Sequence, residues 1–198
     1  ERHATMSTHI TYLFDPLCGW CYGAAPAVQR LAKDPSVSLA LAPTGLFSGG
    51  GRTMDAAFAD YAWSNDLRIA KLTGQRFTEA YRANVLGKLG SRFDSTTSTL
   101  ALCAVALTAP ARELEALKVL QEARYVQGLD TADVAVVAQL LRTLGLTAAA
   151  ERLLNPDVAL HETHAARVQA ALRLMRRHRV QGVPALVATS NRTVSTPR

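Results

Sequence analysis

The first part of the chain has the alternation and the turn signals of a β-α-β unit. Residues 9–14 (HITYLF) are rich in β-branched and aromatic side chains and stop at Asp15-Pro16, a pair typical of turns. Residues 37–43 (VSLALAP) alternate in the same way and also end at a proline. Between these two predicted strands, apolar residues recur at helical spacing from about residue 22 to 33, which predicts a helix.

Helical spacing then dominates residues 54–154, where glycines and prolines separate the predicted helices. A clear case is DTADVAVVAQLLRTLG, in which Asp130 or Thr131 is expected to cap a helix that ends at Gly145. No strand pattern interrupts this block. It is therefore predicted to be a purely helical insertion.

The last part of the chain returns to the sheet. A long helix is predicted over residues 156–179 and is followed by an apolar β-type run at residues 180–189. A polar turn and a short segment at residues 193–195 complete a predicted hairpin. The order is β-α-β, helical block, α-β-β, so a small sheet is interrupted by helices.

Composition is that of an ordinary globular protein, with 198 residues, 48% hydrophobic and 19% charged. No apolar run approaches the roughly 18 residues that a membrane span needs, so no membrane partner is expected. The net charge is +6, and part of the excess lies in residues 173–179 (RLMRRHR). Because no aromatic residues interleave with this run, we expect a solvated helix face and no nucleic-acid partner. The start of the sequence lacks the apolar core of a secretion signal, Met6 is the expected native start, and a cytoplasmic location is predicted.

Two of the three cysteines, Cys18 and Cys21, lie three residues apart where the first strand gives way to a helix. A zinc site would need further ligands, but Cys103 lies in an apolar helical stretch and the five histidines form no ligand cluster in sequence, so no metal site is predicted. A purely structural disulfide is also disfavoured, because so short a loop gains little chain entropy when it is closed.

Redox catalysis is the reading that fits the position of the pair. A sulfur in the first turn of a helix lies near free backbone N–H groups and the positive end of the helix dipole, and both favour the thiolate. Cys18 is therefore predicted to be the exposed nucleophile and Cys21 the resolving cysteine, with Gly19 permitting the tight turn between strand and helix. This dithiol chemistry needs no bound cofactor.

The segment QGVPALV supports the same chemistry. Pro184 stands at the start of a predicted strand with Gly182 two residues before it, which suits a tight turn with a cis peptide bond. An ordinary strand-initiating proline is the alternative that these residues leave open.

Together, YLFDPLCGWCYG and the later GVPALV resemble the DsbA-type branch of the thioredoxin superfamily, and most of all its FrnE-like relatives, which include predicted cytosolic protein-disulfide isomerases. The resemblance implies an α/β, thioredoxin-like fold with a helical domain inserted between the second strand and the following helix. The thioredoxin-like domain is expected at residues 6–47 and 157–198, and the inserted domain at residues 48–156.

The resemblance also implies roles for single residues. Cys18 corresponds to the nucleophilic cysteine, Cys21 to the resolving cysteine and Pro184 to the cis-proline, while the backbone of Val183 is expected to hold a substrate peptide as an added strand. Gly19 and Trp20, between the cysteines, complete the expected substrate-binding residues. Side chains expected to line the substrate groove are Leu46, Phe47 and Met54.

Two positions depart from the family pattern. Strongly oxidising members carry histidine where this chain has Trp20, so the thiolate should be less stabilised and the disulfide less oxidising. Many relatives keep a buried carboxylate where this chain has Tyr12. Asp15 is nearer to the cysteines but is expected to belong to the turn, which leaves it a weak candidate for the proton acceptor of Cys21.

The predicted function is that of a thiol–disulfide oxidoreductase or isomerase acting on disulfide-containing proteins or peptides, with glutathione as a further candidate partner. Because the cytoplasmic glutathione pool favours the reduced dithiol, reductase or isomerase activity is expected over net oxidation. Kappa-class glutathione transferases and hydroxychromene-carboxylate isomerases share the expected fold but use a serine where Cys18 stands. A glutathione-dependent transferase or isomerase of that type, and a thiol-containing chaperone without turnover, remain the alternatives.

Overall fold

A small sheet forms the base of the computed structural model, which describes residues 7–190. Strand β1 (Thr8–Phe14) lies in the centre, parallel to β2 (Val37–Pro43) on one side and antiparallel to β3 (Ala185–Ser190) on the other. Tyr12 of β1 is in register with Leu41 of β2 and Leu186 of β3. The last three residues of β1, the central strand, are buried. The chain runs from this strand directly into the cysteine pair.

Eight helices accompany the sheet in the described part of the chain. One of them is followed, and another is preceded, by a short turn of different helical type. In chain order they are α1 (Gly19–Lys33), α2 (Ala56–Thr73), α3 (Glu79–Tyr81, continued by a π-helical turn at Arg82–Leu86), α4 (Thr96–Thr108), α5 (Glu113–Tyr125, preceded by a 3-10 turn at Pro110–Arg112), α6 (Val134–Thr143), α7 (Thr147–Leu154) and α8 (Val158–Arg177). The predicted order of sheet, helical block and sheet is confirmed. The predicted strand at residues 193–195 lies outside the described residues, and the exact domain boundaries remain a prediction.

The start of α6 differs from the prediction. Asp133, and neither Asp130 nor Thr131, caps this helix, with its carboxylate accepting the N–H of Ala135 at 2.9 Å. Asp130 forms the preceding turn instead, because its carboxylate accepts the N–H of Ala132 at 3.0 Å. Asp130 and Asp133 are both typical N-cap residues, so the local sequence does not distinguish them. Asp130 belongs to the turn, and Asp133 caps the helix.

The helical block packs on the sheet and on α1 through two cores. The larger core surrounds α4, in which Leu102, Cys103 and Val105 are fully buried. The smaller core is aromatic and includes Tyr22 of α1, stacked on Tyr125 of α5 with ring centroids 4.7 Å apart. This aromatic core therefore fixes the helical block against the helix that carries the cysteines.

The long helix α8 turns one arginine inward. Arg173, Arg176 and Arg177 are exposed, as expected for a solvated face. Arg167, in contrast, lies 2.6 Å from the Glu113 carboxylate and donates to the carbonyl of Leu41 at 2.8 Å. It thereby ties α8 to α5 and to the edge of the sheet. None of the described helices is both long enough and apolar enough to cross a bilayer.

Candidate active site

The two cysteines lie where β1 meets α1. Cys18 is the N-cap of α1, and its Sγ accepts the backbone N–H of Cys21 at 3.2 Å. Cys21 is fully buried one turn into the helix. Cys18 was predicted to be exposed, but it is only 6% exposed, because its side chain turns in toward the helix N-terminus and the Val183 carbonyl. It is the more accessible of the two sulfurs, at the wall of a cavity rather than on the outer surface.

The surroundings of the two thiols shift their pKa values in opposite directions. A hydrogen bond from the Cys21 side chain lowers the pKa of Cys18 below its ordinary value of 9.0, and the N–H groups of the first helical turn act in the same direction, against the effect of burial. Burial raises the pKa of Cys21 well above that value, and the charge on Cys18 adds to the increase. The geometry therefore makes Cys18 the more readily ionised of the two thiols and keeps Cys21 in its protonated form.

Gly19 has a different role from the predicted one. It does not adopt a positive φ, but a Cβ at this position would lie 2.8 Å from Oδ1 of Asp66 and 3.0 Å from Cδ1 of Ile69. Both of these residues belong to α2. A glycine is thus needed between the cysteines because a helix of the inserted block packs directly against the first turn of α1.

The later motif approaches Cys18 through its backbone. The Val183–Pro184 peptide bond is cis, and the carbonyl oxygen of Val183 lies 3.6 Å from Sγ of Cys18. Val183 is half-buried, whereas Pro184 is exposed and does not line the cavity beside the sulfur. Trp20 is half-buried, and the Arg68 guanidinium lies 5.9 Å from the centre of its ring.

A cavity of about 390 Å³ opens beside Cys18, between α1 and the helical block. Trp20 and Val183 line it, and so do Leu46 and Phe47, which were expected to line a groove at this place. Met54 does not reach it, because this side chain is buried in the aromatic core. The lining is mainly apolar, with a few charged side chains at the floor and the mouth.

Sequence reasoning missed the polar residues on the floor of this cavity. They are Asp66, Tyr81 and Arg124, all of them buried, and they come from α2, α3 and α5. The Tyr81 hydroxyl donates to Oδ2 of Asp66 at 2.6 Å. The only signal in the sequence was a charged residue at a helix position that the apolar spacing assigns to the interior, which by itself does not indicate a site.

Tyr12 and Asp15 lie on the inner side of the cysteines. The Tyr12 hydroxyl points to the carbonyl of Cys21 at 3.4 Å, and burial raises its pKa, so it stays neutral. Asp15 was assigned to the turn, and its carboxylate does accept the N–H of Leu17 at 2.8 Å. The same carboxylate also accepts the Phe47 N–H and the Ser95 hydroxyl, so it is fully buried and joins the turn to the helical block. Burial raises the pKa of Asp15, and its charge raises that of both cysteines.

Within residues 7–190, no three side chains of histidine, cysteine, aspartate or glutamate come together in a way that could hold a metal ion. The cysteines are free thiols in the structure. The site is therefore described by two thiols, a backbone carbonyl and an adjoining cavity.

The family of this chain follows from its match to a model of a known protein family. A model described as a DSBA-like thioredoxin domain matches residues 9–196. The chain belongs to this family. The fold class predicted from the sequence is thereby confirmed, and the cysteine pair lies in the context of a family of thiol–disulfide oxidoreductases. No curated protein sequence gave a match.

Solved structures agree with this DsbA-like assignment. The cytosolic disulfide reductase DsbM from Pseudomonas aeruginosa is 30% identical, with a TM-score of 0.82, over 93% of this chain and 89% of that protein. DsbM has also been solved with GSH, and that structure superimposes with a TM-score of 0.81 at 30% identity, over 93% and 90% of the two chains. A candidate protein disulfide isomerase from Nitrosomonas europaea is 22% identical, with a TM-score of 0.77 over 93% and 86% of the chains, and shares the fold.

Proposed function

We propose that this protein is a cytoplasmic dithiol–disulfide oxidoreductase that works mainly as a reductase, with Cys18 as nucleophile and Cys21 as resolving cysteine. The observation that carries the proposal is the opposite bias on the two thiols. Cys18 accepts the N–H of Cys21 at the start of α1 and has a lowered pKa, whereas Cys21 is sealed in the interior with a raised one. A two-step exchange requires these two properties, because the first thiol must ionise and attack while the second stays protonated until it resolves the mixed disulfide.

In the first step, the Cys18 thiolate attacks one sulfur of a substrate disulfide. A bond forms between Cys18 and that sulfur, the substrate S–S bond breaks, and the other half leaves as a thiolate that takes a proton from solvent. In the second step, Cys21 loses its proton and attacks Sγ of Cys18, which releases the remaining half as a thiol. The substrate gains two electrons, and the protein is left with a Cys18–Cys21 disulfide.

The backbone beside Cys18 supports binding of an extended substrate. The Val183 carbonyl lies next to the sulfur at the start of β3, so a substrate peptide can pair with this segment as an added strand. Gly19 and Trp20 line the cavity beside the sulfur, and the exposed Pro184, which follows Val183 in the chain, is a further residue that we propose to contact the substrate. Isomerisation of protein disulfides uses the same first step and is a further activity of the proposed site.

The direction of electron flow is argued from Trp20. Tryptophan carries no charge that would stabilise the Cys18 thiolate, so the reduced form should be less favoured than in the strong oxidants of the family. The similarity to DsbM, a cytosolic disulfide reductase, supports the same direction and the cytoplasmic location. Because DsbM has been solved with GSH, glutathione and its mixed disulfides are the small substrates we propose first.

Replacement of the resolving cysteine tests the proposal. Cys21→Ser should abolish multi-turnover reduction of insulin and of glutathione mixed disulfides, because the mixed disulfide with Cys18 can no longer be resolved from within. Cys103→Ala, which changes a buried cysteine of α4 that does not line the cavity beside Cys18, should retain activity and serves as the matched control. A glutathione transferase would keep its activity after Cys21→Ser, and a chaperone without turnover would show no reduction in any of the three proteins, so either result would overturn the proposal.

A further inference from the structure

The floor of the active-site cavity carries two opposite charges that are not paired with each other. We call Asp66, Tyr81 and Arg124 the charged floor. Tyr81 lies between the charges: its hydroxyl donates to Asp66, and the Arg124 guanidinium lies 5.7 Å from the centre of its ring. In the described part of the chain, no ion pair joins Asp66 to Arg124.

Both charged groups of the floor keep unused hydrogen-bonding capacity. Oδ2 of Asp66 accepts from Tyr81, whereas Oδ1 faces the first turn of α1, 2.8 Å from the place where a Cβ of Gly19 would lie. The Nε of Arg124 is buried and has no hydrogen-bond partner. Buried polar groups without partners are rare, and each calls for an explanation.

A structural explanation accounts poorly for this arrangement. Charges kept in the interior for stability are normally paired with an opposite charge, as Arg167 is with Glu113. The charged floor, in contrast, lines the same cavity as Cys18. The Asp66 and Arg124 side chains therefore border the space that a ligand beside Cys18 would occupy.

The balance of charge indicates which ligand group fits. A floor with one negative and one positive side chain has no net attraction for a simple cation or a simple anion. It is complementary to a group that bears an ammonium and a carboxylate together, which is the head group of an α-amino acid. Arg52 also lines the cavity and is exposed, so it would attract a further carboxylate of such a ligand.

We propose that the charged floor is a recognition site for the α-amino-acid head group of a small disulfide substrate, with Asp66 binding its ammonium and Arg124 its carboxylate. The proposal rests on the disulfide exchange proposed above, for which it names a substrate class. In glutathione disulfide the γ-glutamyl end is the part that carries both charges. The reaction is the oxidation of the protein dithiol by the disulfide, which yields two glutathione thiols and a Cys18–Cys21 disulfide.

A single-turnover experiment on the unmodified sequence tests this proposal first. The protein is reduced, freed of reductant and mixed with one of three disulfides: glutathione disulfide, its analogue without the two α-amino groups, or bis(2-hydroxyethyl) disulfide. Free thiols are counted over time to obtain the second-order rate constant. Glutathione disulfide should react roughly 10- to 100-fold faster than the analogue, the factor expected for the loss of a charge-assisted hydrogen bond. Attraction to the net positive charge of the protein acts the other way, because the analogue is the more anionic of the two.

The same experiment with Asp66→Asn assigns the effect to the floor. Asparagine keeps an oxygen for the Tyr81 hydroxyl but loses the charge. We expect the preference for glutathione disulfide over the analogue to fall to about twofold or less. The rate of the same variant with bis(2-hydroxyethyl) disulfide is the reference against which both of its other rates are expressed. Asp60→Asn, on the exposed face of the same helix, is the matched control and should retain the full preference.

The outcomes separate this proposal from the one it rests on. If bis(2-hydroxyethyl) disulfide and glutathione disulfide both fail to oxidise the dithiol, the proposed function itself is wrong. If all three disulfides react at similar rates in the unmodified protein, or if Asp66→Asn keeps the full preference, the exchange chemistry stands and the recognition site is refuted.

Discussion

Replacing Gly19 with alanine probes how tightly the helical block packs against α1, the helix that carries the two cysteines. The added methyl group would lie 2.8 Å from Oδ1 of Asp66 and 3.0 Å from Cδ1 of Ile69, both closer than ordinary van der Waals contact. Neither atom can move away freely, because Ile69 is fully buried and Asp66 is held through its other oxygen by the Tyr81 hydroxyl. Either α2 or the first turn of α1 must therefore shift.

The magnitude follows from two opposing effects. Overpacking of a well-filled interior costs about 1–3 kcal/mol. Alanine also favours the helix and restricts the unfolded chain, which returns up to about 1 kcal/mol. The net expectation for Gly19→Ala is a loss of about 1–2 kcal/mol in the free energy of unfolding.

Urea unfolding of the reduced protein at neutral pH measures this loss. Gly50→Ala is the matched control, because a Cβ at position 50 meets no atom within 4 Å and the residue has no positive φ. That variant should be as stable as the parent or up to about 1 kcal/mol more stable. If Gly19→Ala matched Gly50→Ala in stability, the close packing of α2 on the cysteine turn would not be the reason for the glycine.

Two further predictions concern the thiols. The rate of Cys18 alkylation by iodoacetamide should rise with pH along a curve whose midpoint lies below 9.0, because the Cys21 side chain and the first helical turn lower the pKa of Cys18. Mass spectrometry of samples alkylated at a series of pH values measures this curve. A midpoint at or above 9.0 would contradict the geometry. The reduction potential of the Cys18/Cys21 pair, measured in glutathione buffers, should lie nearer the roughly −270 mV of thioredoxin than the roughly −120 mV of the strong periplasmic oxidant, and a value near the latter would refute the argument from Trp20.

Local patterns were sufficient for the part of the fold that carries the thiols. The alternation of β1, the turn at Asp15-Pro16 and the helical spacing after Cys21 are encoded by neighbours in the sequence, and the structure has β1 and α1 in these places. Local patterns did not predict contacts between residues that are distant in the sequence. Asp15 was predicted to be a turn residue, and it is one. Its carboxylate also accepts a hydrogen bond from the Ser95 hydroxyl in the helical block, which the local sequence did not indicate.

The charged floor illustrates the limit of sequence reasoning most clearly. Asp66, Tyr81 and Arg124 lie on three different helices, and nothing in their own neighbourhoods indicates a common site. Their convergence depends on how α2 docks against Gly19 and how α5 docks through the aromatic core. Glycine between the cysteines was visible in the sequence, but it was attributed to a turn because the helix that packs on it could not be seen.

Asp66 offers a final prediction, in which stability and function oppose each other. Burial raises its pKa from 3.8 to about 6, despite the hydrogen bond from Tyr81 and the nearby positive charge of Arg124. In the unfolded chain the group titrates near 3.9. Between these values the folded protein binds more protons than the unfolded chain, so this residue's contribution to stability falls as the pH rises from about 4 to 6.

At neutral pH the ionised carboxylate should therefore cost the fold about 3 kcal/mol, at about 1.4 kcal/mol for each pKa unit. Asp66→Asn removes that cost while keeping an acceptor for Tyr81. The difference in unfolding free energy between this variant and the parent, measured by urea at pH 4 and at pH 7.5, should grow by roughly 2–3 kcal/mol in favour of the variant. Asp15 and the cysteines are common to both proteins, so their titrations cancel in the difference.

A difference that did not change with pH would mean that Asp66 is ionised without penalty, as an ordinary paired carboxylate is, and the case for an incomplete floor would lose its energetic support. A difference that grows as expected means that the fold carries, next to the cysteine turn, a charge that lowers its own stability. A substrate ammonium beside the Asp66 carboxylate would offset that cost, and binding of the substrate should therefore lower the pKa of Asp66 again.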